Sequence, residues 1–286
     1  RKWTYAELGA LVDKVAAGLQ AKGVEKGSKV GLCLPNTPYS VIFYFAVMKA
    51  GGTVVNFSPL YVERELRHQI RDSGTTIMVV PDLKLIHSRV AAVAAEAGLE
   101  TIIVCPMAGV LPFLKGLGFT LLKRKEQAVF DLSDGVHMRY GDLLTHGDKP
   151  APVSIDPGTD VAVLQYTGGT TGVPKGAMLT HANVSANAHQ VIVHAECERI
   201  GVRRVLGVLP LFHVFAMETV MVIPICLGAE IILVPRFNLV DLLDVIEREK
   251  PTMFPGVPTI YAAINTHPGI EKRDLSSLTL CISGGA

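Results

Sequence analysis

The sequence predicts an α/β fold built as two βα-layered subdomains, with mainly parallel sheets covered by helices. Three observations carry this. Short Val/Ile-rich runs, such as KVGLCL from Lys29 and TIIV from Thr101, alternate with stretches of helical periodicity, the signature of parallel strands with helices on both faces. The alternation breaks between Met107 and Pro150 and resumes after Asp160, which divides the chain. Finally, 286 residues with 49% in the hydrophobic set supply a sizeable core, at the boundary between one domain and two.

Each element has its own warrant. Thr4 and Glu7 have the spacing of a capping box, and Leu8, Leu11, Val12, Val15 and Leu19 recur at helical intervals as far as Gly23. Lys29 to Leu34 reads as a strand stopped by Pro35. A helix near Pro38 to Ala50, a strand from Thr53 to Phe57 and a helix near Val62 to Ser73 follow. A strand from Thr76 to Val80, an Ala-rich helix near Leu83 to Ala97 and a strand from Thr101 to Val104 complete a first α/β part, residues 1–105. Residues 106–150 form a basic, apolar insertion and connector. The second α/β part, residues 151–286, holds a strand at VAVLQY, a helix from about His181, a strand at Arg204 to Val208 and a helix near His213 to Leu227. After these come a strand at Glu230 to Val234, helices at Leu239 to Lys250 and Pro258 to Asn265, and a strand at Leu278 to Ser283.

Composition narrows the function. A net charge of +1 lacks the basic excess that nucleic-acid binding needs. The cysteines (Cys33, Cys105, Cys197, Cys226, Cys281) are scattered without a CxxC or Cys/His cluster, as expected of buried thiols in a reducing cytoplasm. Arg1 leads into a polar and aromatic start rather than a secretory leader. The longest apolar region, Thr219 to Pro235, is interrupted by Pro224, Gly228 and Glu230, too broken for a spanning helix of about 20 residues. A soluble, cytoplasmic chain is expected.

The chemistry concentrates in YTGGTTGVPKG, Tyr166 to Gly176. It follows a strand, and its glycines let backbone N–H groups approach an anion. Thr167, Thr170 and Thr171 add hydroxyl donors, and Lys175 adds positive charge. Each hydrogen bond to a charged phosphate is worth roughly 1.5–3 kcal/mol, so several together suit a polyphosphate. The Walker spacing fails, because Val173 or Pro174 stands where its second glycine is required and Gly176 follows Lys175. A plain Gly/Thr turn is the bland alternative.

With AMLTHAN after it, this string resembles the signature of the adenylate-forming superfamily: acyl-CoA synthetases, peptide-synthetase adenylation domains and luciferases. Gly168, where many members carry Ser, makes it most similar to bacterial long-chain fatty-acid ligases. The resemblance covers essentially the whole chain, through RKWTYAEL, VGLCLPN, FYFAVMKAGGTVVNFSPLY, VLPLFHVFAM, FPGVPTIY and LCISGGA. It implies the N-terminal domain of such an enzyme, incomplete here, and a loop that grips the ATP β- and γ-phosphates through Thr167, Gly168, Gly169, Thr170, Thr171, Gly172 and Lys175. It also implies an acyl and adenine pocket lined by His213, Ser283, Gly284, Gly285 and Ala286. By itself His213 reads more readily as a packed histidine, and Ser283 to Ala286 as a tight turn; within its motif a pocket-lining role is the expectation. A carboxylate substrate needs no base at pH 7, so His213 is expected to line the pocket only.

The implied reaction is ATP-dependent activation of a long-chain fatty acid, first to an acyl-adenylate with release of pyrophosphate, then to acyl-CoA. ATP, Mg2+ and coenzyme A would take part. No catalytic or metal-ligating residue is assigned, since the resemblance puts the main catalytic lysine beyond Ala286. The start at Arg1 and the stop at Ala286 lead to the expectation of an excised N-terminal piece, inactive alone. A ligase for aromatic or medium-chain acids and a catalytically silent nucleotide- or acyl-binding module stay open.

The insertion adds one expectation. LPFLKGLGFTLLKRK sets apolar residues beside Lys115, Lys123, Arg124 and Lys125, with no acid from 106 to 125. Such a stretch suits peripheral contact with an anionic membrane. An ordinary core-packing excursion or loop is the alternative, and Gly116 and Gly118 argue against a helix there.

Overall fold

In the computed structural model the structure describes residues 1–167 and 174–285, with the backbone alone at Phe113 and Leu114. The chain forms two compact units: Arg1–Leu34 with Pro38–His181, and Pro35–Thr37 with Ala182–Ala286.

The first unit runs α1 (Tyr5–Ala21), β1 (Lys29–Leu32), α2 (Pro38–Lys49), β2 (Thr53–Asn56), α3 (Glu63–Ser73), β3 (Ile77–Pro81), α4 (Lys84–Ala97) and β4 (Thr101–Cys105). It continues with α5 (Phe113–Leu122), β5 (His137–Arg139), α6 (Tyr140–Leu143), β6 (Val161–Thr167) and β7 (Lys175–Thr180). The capping box forms as the sequence predicts: Thr4 Oγ1 accepts from the Glu7 N–H at 3.2 Å, and Glu7 Oε2 accepts from the Thr4 N–H at 2.7 Å. Helices α3 and α4 stop at Gly74 and Gly98, both left-handed, where a side chain would add strain.

Seven strands form one sheet in the order β5-β4-β3-β1-β2-β6-β7, every neighbour parallel except β6 with β7. Met78, Val80, Ile102 and Val104 pack with Leu66 and Ile70 of α3 and Val90 and Val93 of α4 in one buried core. The other face lies under α2, which is itself backed by α1. Double cover explains why these strands read as unbroken apolar runs. One polar chain crosses the interior: the Gln69 side chain donates to the Asn56 carbonyl at 2.9 Å, and the Asn56 amide donates to Gln165 Oε1 at 3.1 Å. This ties α3, β2 and β6 together.

The second unit runs α7 (His181–His194), β8 (Arg204–Gly207), α8 (Val214–Ala216), a π-helical segment (Met217–Val222), α9 (Ile223–Leu227), β9 (Glu230–Leu233), α10 (Leu239–Glu249), β10 (Met253–Gly256), α11 (Pro258–Asn265) and β11 (Leu280–Ser283). Its four strands are all parallel, in the order β11-β10-β8-β9.

The structure departs from the sequence reading in several places. Strands β6 and β7 hydrogen-bond into the first sheet through Val54↔Val163 and Val55↔Leu164, and the compact units part between His181 and Ala182. The sequence reading had started a new part at residue 151. Strand β7 has no β-branched run to announce it, and the proline in β10 hides a strand that lies inside its sheet. Helix α5 forms despite Gly116 and Gly118, because a Cβ at Gly116 would stand 2.7 Å from the Ala108 carbonyl oxygen. That glycine is what lets the helix pack closely.

Candidate functional site

The described part of the phosphate-loop candidate begins and ends on two paired strands. Thr167 closes β6, Lys175 opens β7, and the two are direct antiparallel partners. Both are exposed. Gly168, Gly169, Thr170, Thr171 and Gly172 lie outside the described residues. The strand pair is locked just below Thr167. The Tyr166 hydroxyl donates to Asp72 Oδ2 on α3, while the Tyr166 ring covers Gly176, where a Cβ would come within 2.9 Å of ring carbon Cε2. Burial, reinforced by the Asp72 carboxylate, pushes the Tyr166 hydroxyl pKa up, so it stays a donor. The sequence reading took Gly176 only as the absence of a Walker hydroxyl. Its role is steric.

Beside this hairpin lies an open cavity of about 570 Å³, bordered by Lys26, Lys29, Asp160, Tyr166, Met178 and His181 among others. Lys26 Nζ lies 2.7 Å from Asp160 Oδ2. The hydrogen bond from Lys26 lowers the Asp160 pKa, and burial lowers that of His181. No motif in the sequence pointed to this cavity.

The second unit carries the pocket candidates. At the carboxyl end of β8 the chain turns through Pro210 to His213, whose backbone N–H donates to the Pro210 carbonyl at 3.0 Å. His213 then precedes α8. Its imidazole lies on Phe212, with ring centroids 4.3 Å apart, and stays exposed. The partial cover pulls its pKa down. It is not a histidine packed into a core.

Ser283 ends β11 opposite Gly256, and the Gly284 N–H donates to the Gly256 carbonyl at 3.2 Å. Gly285 follows at φ +71, a conformation that favours glycine. Ala286 lies outside the described residues. Phe215 joins the two motifs: a Cβ on Gly284 would stand 3.1 Å from the Phe215 ring. The His213 segment and the Ser283–Gly285 turn therefore meet at the carboxyl ends of parallel strands, where open α/β sheets bind ligands.

Asn36 is the residue whose role went unseen. Its buried side-chain amide donates to the Leu209 carbonyl at 2.9 Å and the Gly207 carbonyl at 3.3 Å, and its Oδ1 accepts from the Leu211 N–H at 2.9 Å. One side chain thus fixes the backbone between β8 and His213. VGLCLPN held the signal, but contacts to residues some 175 positions away leave no trace in local pattern.

Glu218 was also missed. It sits buried in the π-helical segment, and its Oε2 has no hydrogen-bond partner. Burial alone raises its pKa to about 7. Single π-helical insertions often mark functional sites.

Three cysteines are buried as expected (Cys33, Cys105, Cys197), but Cys226 and Cys281 are exposed. Cys281 lies on β11, at the edge of its sheet, and Cys226 in α9, near the helix end at Gly228, so apolar flanking sequence misled there. Among the described residues, no group of three or more His, Cys, Asp or Glu side chains could hold a metal ion. No helix among them is long and apolar enough to cross a membrane.

The model of the AMP-binding enzyme family matches residues 1–286, the full chain. The chain belongs to the AMP-binding enzyme family. Among its relatives, a long-chain-fatty-acid–CoA ligase of Bacillus subtilis (strain 168) is 39% identical over 288 residues, covering 100% of this chain and 51% of the relative. A feruloyl-CoA synthase of Amycolatopsis sp is 33% identical over 286 residues, covering 99% of this chain and 49% of the relative. In fold, it matches a long-chain-fatty-acid-CoA ligase from Archaeoglobus fulgidus at a TM-score of 0.78 and 27% identity, over 99% of this chain and 51% of that one. ATP-bound MatB from Rhodopseudomonas palustris matches with the same TM-score of 0.78 at 25% identity, over 99% of this chain and 49% of that one. The chain spans about half the length of the relatives it matches.

Proposed function

We propose that the protein carrying this chain activates a long-chain fatty acid with ATP, forming an acyl-adenylate and pyrophosphate, and then transfers the acyl group to the thiol of coenzyme A with release of AMP. The observation that carries this reading is the Thr167–Lys175 pair at the mouth of a locked hairpin. It brackets a glycine- and threonine-rich string in a chain that is 39% identical over its whole length to about half of a long-chain-fatty-acid–CoA ligase.

The chemistry suits the residues. Attack of a carboxylate on the ATP α-phosphate joins two anions, so the protein must offset charge and hold the groups in line. Lys175 and the Thr167 hydroxyl would hold the departing pyrophosphate. Tyr166, tied to Asp72, gives that loop a rigid base. In the second unit, His213 and the bare turn at Ser283–Gly285 would line the acyl and adenine groups. Magnesium would supply charge neutralisation, held chiefly by the ATP phosphates, because it retains waters and seldom uses an all-protein cage.

Aromatic acids are the second reading, favoured by the 33% identity to a feruloyl-CoA synthase. One assay separates the two. Pyrophosphate release is measured for the complete protein with ATP, magnesium and acids from acetate to oleate, ferulate included. Release peaking at long chains is the expected result. Release with ferulate alone would reject the fatty-acid substrate and keep the adenylating chemistry, whereas none with any acid would reject both.

A further inference from the structure

Away from the sites described above, two histidines of the first unit meet nitrogen to nitrogen. His87 on α4 is buried, and its Nε2 lies 3.0 Å from Nε2 of His137, which opens β5. The other nitrogen of His137 is already committed: Nδ1 lies 2.5 Å from Asp134 Oδ2. Asp134 Oδ1 accepts from the Val136 and His137 N–H groups, both at 2.8 Å. The loop thus fixes the carboxylate, the carboxylate takes the Nδ1 proton, and the His137 Nε2 lone pair is left facing His87. Phe130 packs on both rings, stacked on His137 and tilted against His87, with centroids 5.5 Å away in each case.

The two rings share one hydrogen, which His87 Nε2 donates to His137 Nε2. A bond between two imidazoles needs no carboxylate behind it, yet here one is built in. Asp134 on His137 Nδ1 is the arrangement that sets the tautomer and raises the basicity of metal-ligating histidines. A second carboxylate, Asp131, stands in the same loop, and its charge reaches Asp134 and His137. Among the described residues no Lys or Arg pairs with either acid, so the local excess of negative charge favours a cation between the nitrogens. Spacing allows one. Zinc–imidazole bonds of about 2.0–2.1 Å at a tetrahedral angle put two nitrogens about 3.3 Å apart, so the rings need part by only a few tenths of an ångström.

We propose that His87 and His137 form a two-nitrogen site for a borderline divalent cation such as Zn2+, with Asp134 holding His137 in its ligating tautomer. The cation takes the place of the hydrogen between the nitrogens, and that proton moves to His87 Nδ1, so both rings stay neutral. With two side chains the site falls short of a closed structural centre. Water fills the other positions, from the side where His137 and Asp134 keep 10% and 34% of their side chains exposed. Imidazole suits Zn2+, Ni2+ and Cu2+ rather than the oxygen-seeking Mg2+, so this site is separate from the magnesium that accompanies ATP. The bound cation would cross-link α4 to β5, and the inference does not depend on the ligase reading.

Zinc titration of the complete protein tests it, read by competition with a chromophoric chelator and by thermal unfolding. All proteins carry Cys226→Ser and Cys281→Ser, which removes the exposed thiols of this chain. Zinc is expected to bind and to raise Tm, and excess magnesium should not displace it. His87→Gln and His137→Gln should each lose one equivalent of bound zinc and the rise in Tm. Asp134→Asn keeps an acceptor for the loop N–H groups but turns an N–H toward His137, so it should weaken binding about 10- to 100-fold. His146→Gln, at an exposed position, should change nothing. Equal zinc affinity and an equal Tm rise in wild type and both glutamine variants would overturn the proposal. Should a glutamine variant fail to fold, Asp134→Asn carries the test, and unchanged affinity there would overturn it. Pyrophosphate release with magnesium should be the same for every variant, which keeps this test separate from that of the ligase reaction.

Discussion

The ring of Tyr166 lies across Gly176, so close that a methyl group on Gly176 would stand 2.9 Å from ring carbon Cε2. The two residues are antiparallel partners on β6 and β7. The ring braces the hairpin whose mouth holds Thr167 and Lys175, and its hydroxyl anchors the pair to Asp72 on α3. Gly176→Ala must push the ring off the strand. Overpacking of this kind costs about 1–3 kcal/mol. A lower Tm together with slower pyrophosphate release is expected, and wild-type values for both would show that the ring has room to move.

Lys175 separates stability from chemistry. Its side chain is exposed, so Lys175→Ala should leave Tm within error of the wild type. A lost hydrogen bond to a charged phosphate is worth about 1.5–3 kcal/mol, so kcat/KM for pyrophosphate release should fall roughly 10- to 100-fold. Unchanged kinetics would remove Lys175 from the phosphate site.

Asn36 should behave in the opposite way, as a structural residue with a functional echo. Asn36→Ala strands the Leu211 N–H and the Leu209 carbonyl in a buried place, at about 1–3 kcal/mol for each group left unpaired. Asn36→Asp should be worse, because it replaces a donor with an acceptor facing carbonyl oxygens. Denaturant unfolding would measure both. Equal stability of Asn36→Asp and wild type would mean that the amide is not what holds the His213 turn.

Glu218 makes a pH prediction. Burial raises its pKa from 4.5 to about 7, so the folded state keeps its proton where the unfolded chain has lost it. Stability therefore falls as pH rises from about 4.5 to about 7, and then levels off, at a total cost of about 3 kcal/mol. Glu218→Gln removes that ionisation, so its stability should exceed the wild type's at pH 8 and match it closely at pH 4.5. Parallel pH–stability curves for the two proteins would show that Glu218 ionises freely in the fold.

Local pattern in the sequence was enough for the α/β class, the capping box at Thr4 and most strands of both sheets, and it singled out the Gly/Thr string. Those features depend on neighbours a few residues apart: apolar runs for doubly covered strands, helical periodicity for their helices, and a run of glycines and threonines after a strand. The string also carried the resemblance to the family, because it is long and specific. The tertiary structure alone decided where β6 and β7 belong, since strand order follows from hydrogen-bonded register, and register from packing over a hundred residues away. It also decided that Gly176 makes room for a ring and that Asn36 holds a turn far away in sequence. A long-range contact is satisfied by whatever side chain fits in space, and such a choice leaves no period or motif in the chain that makes it.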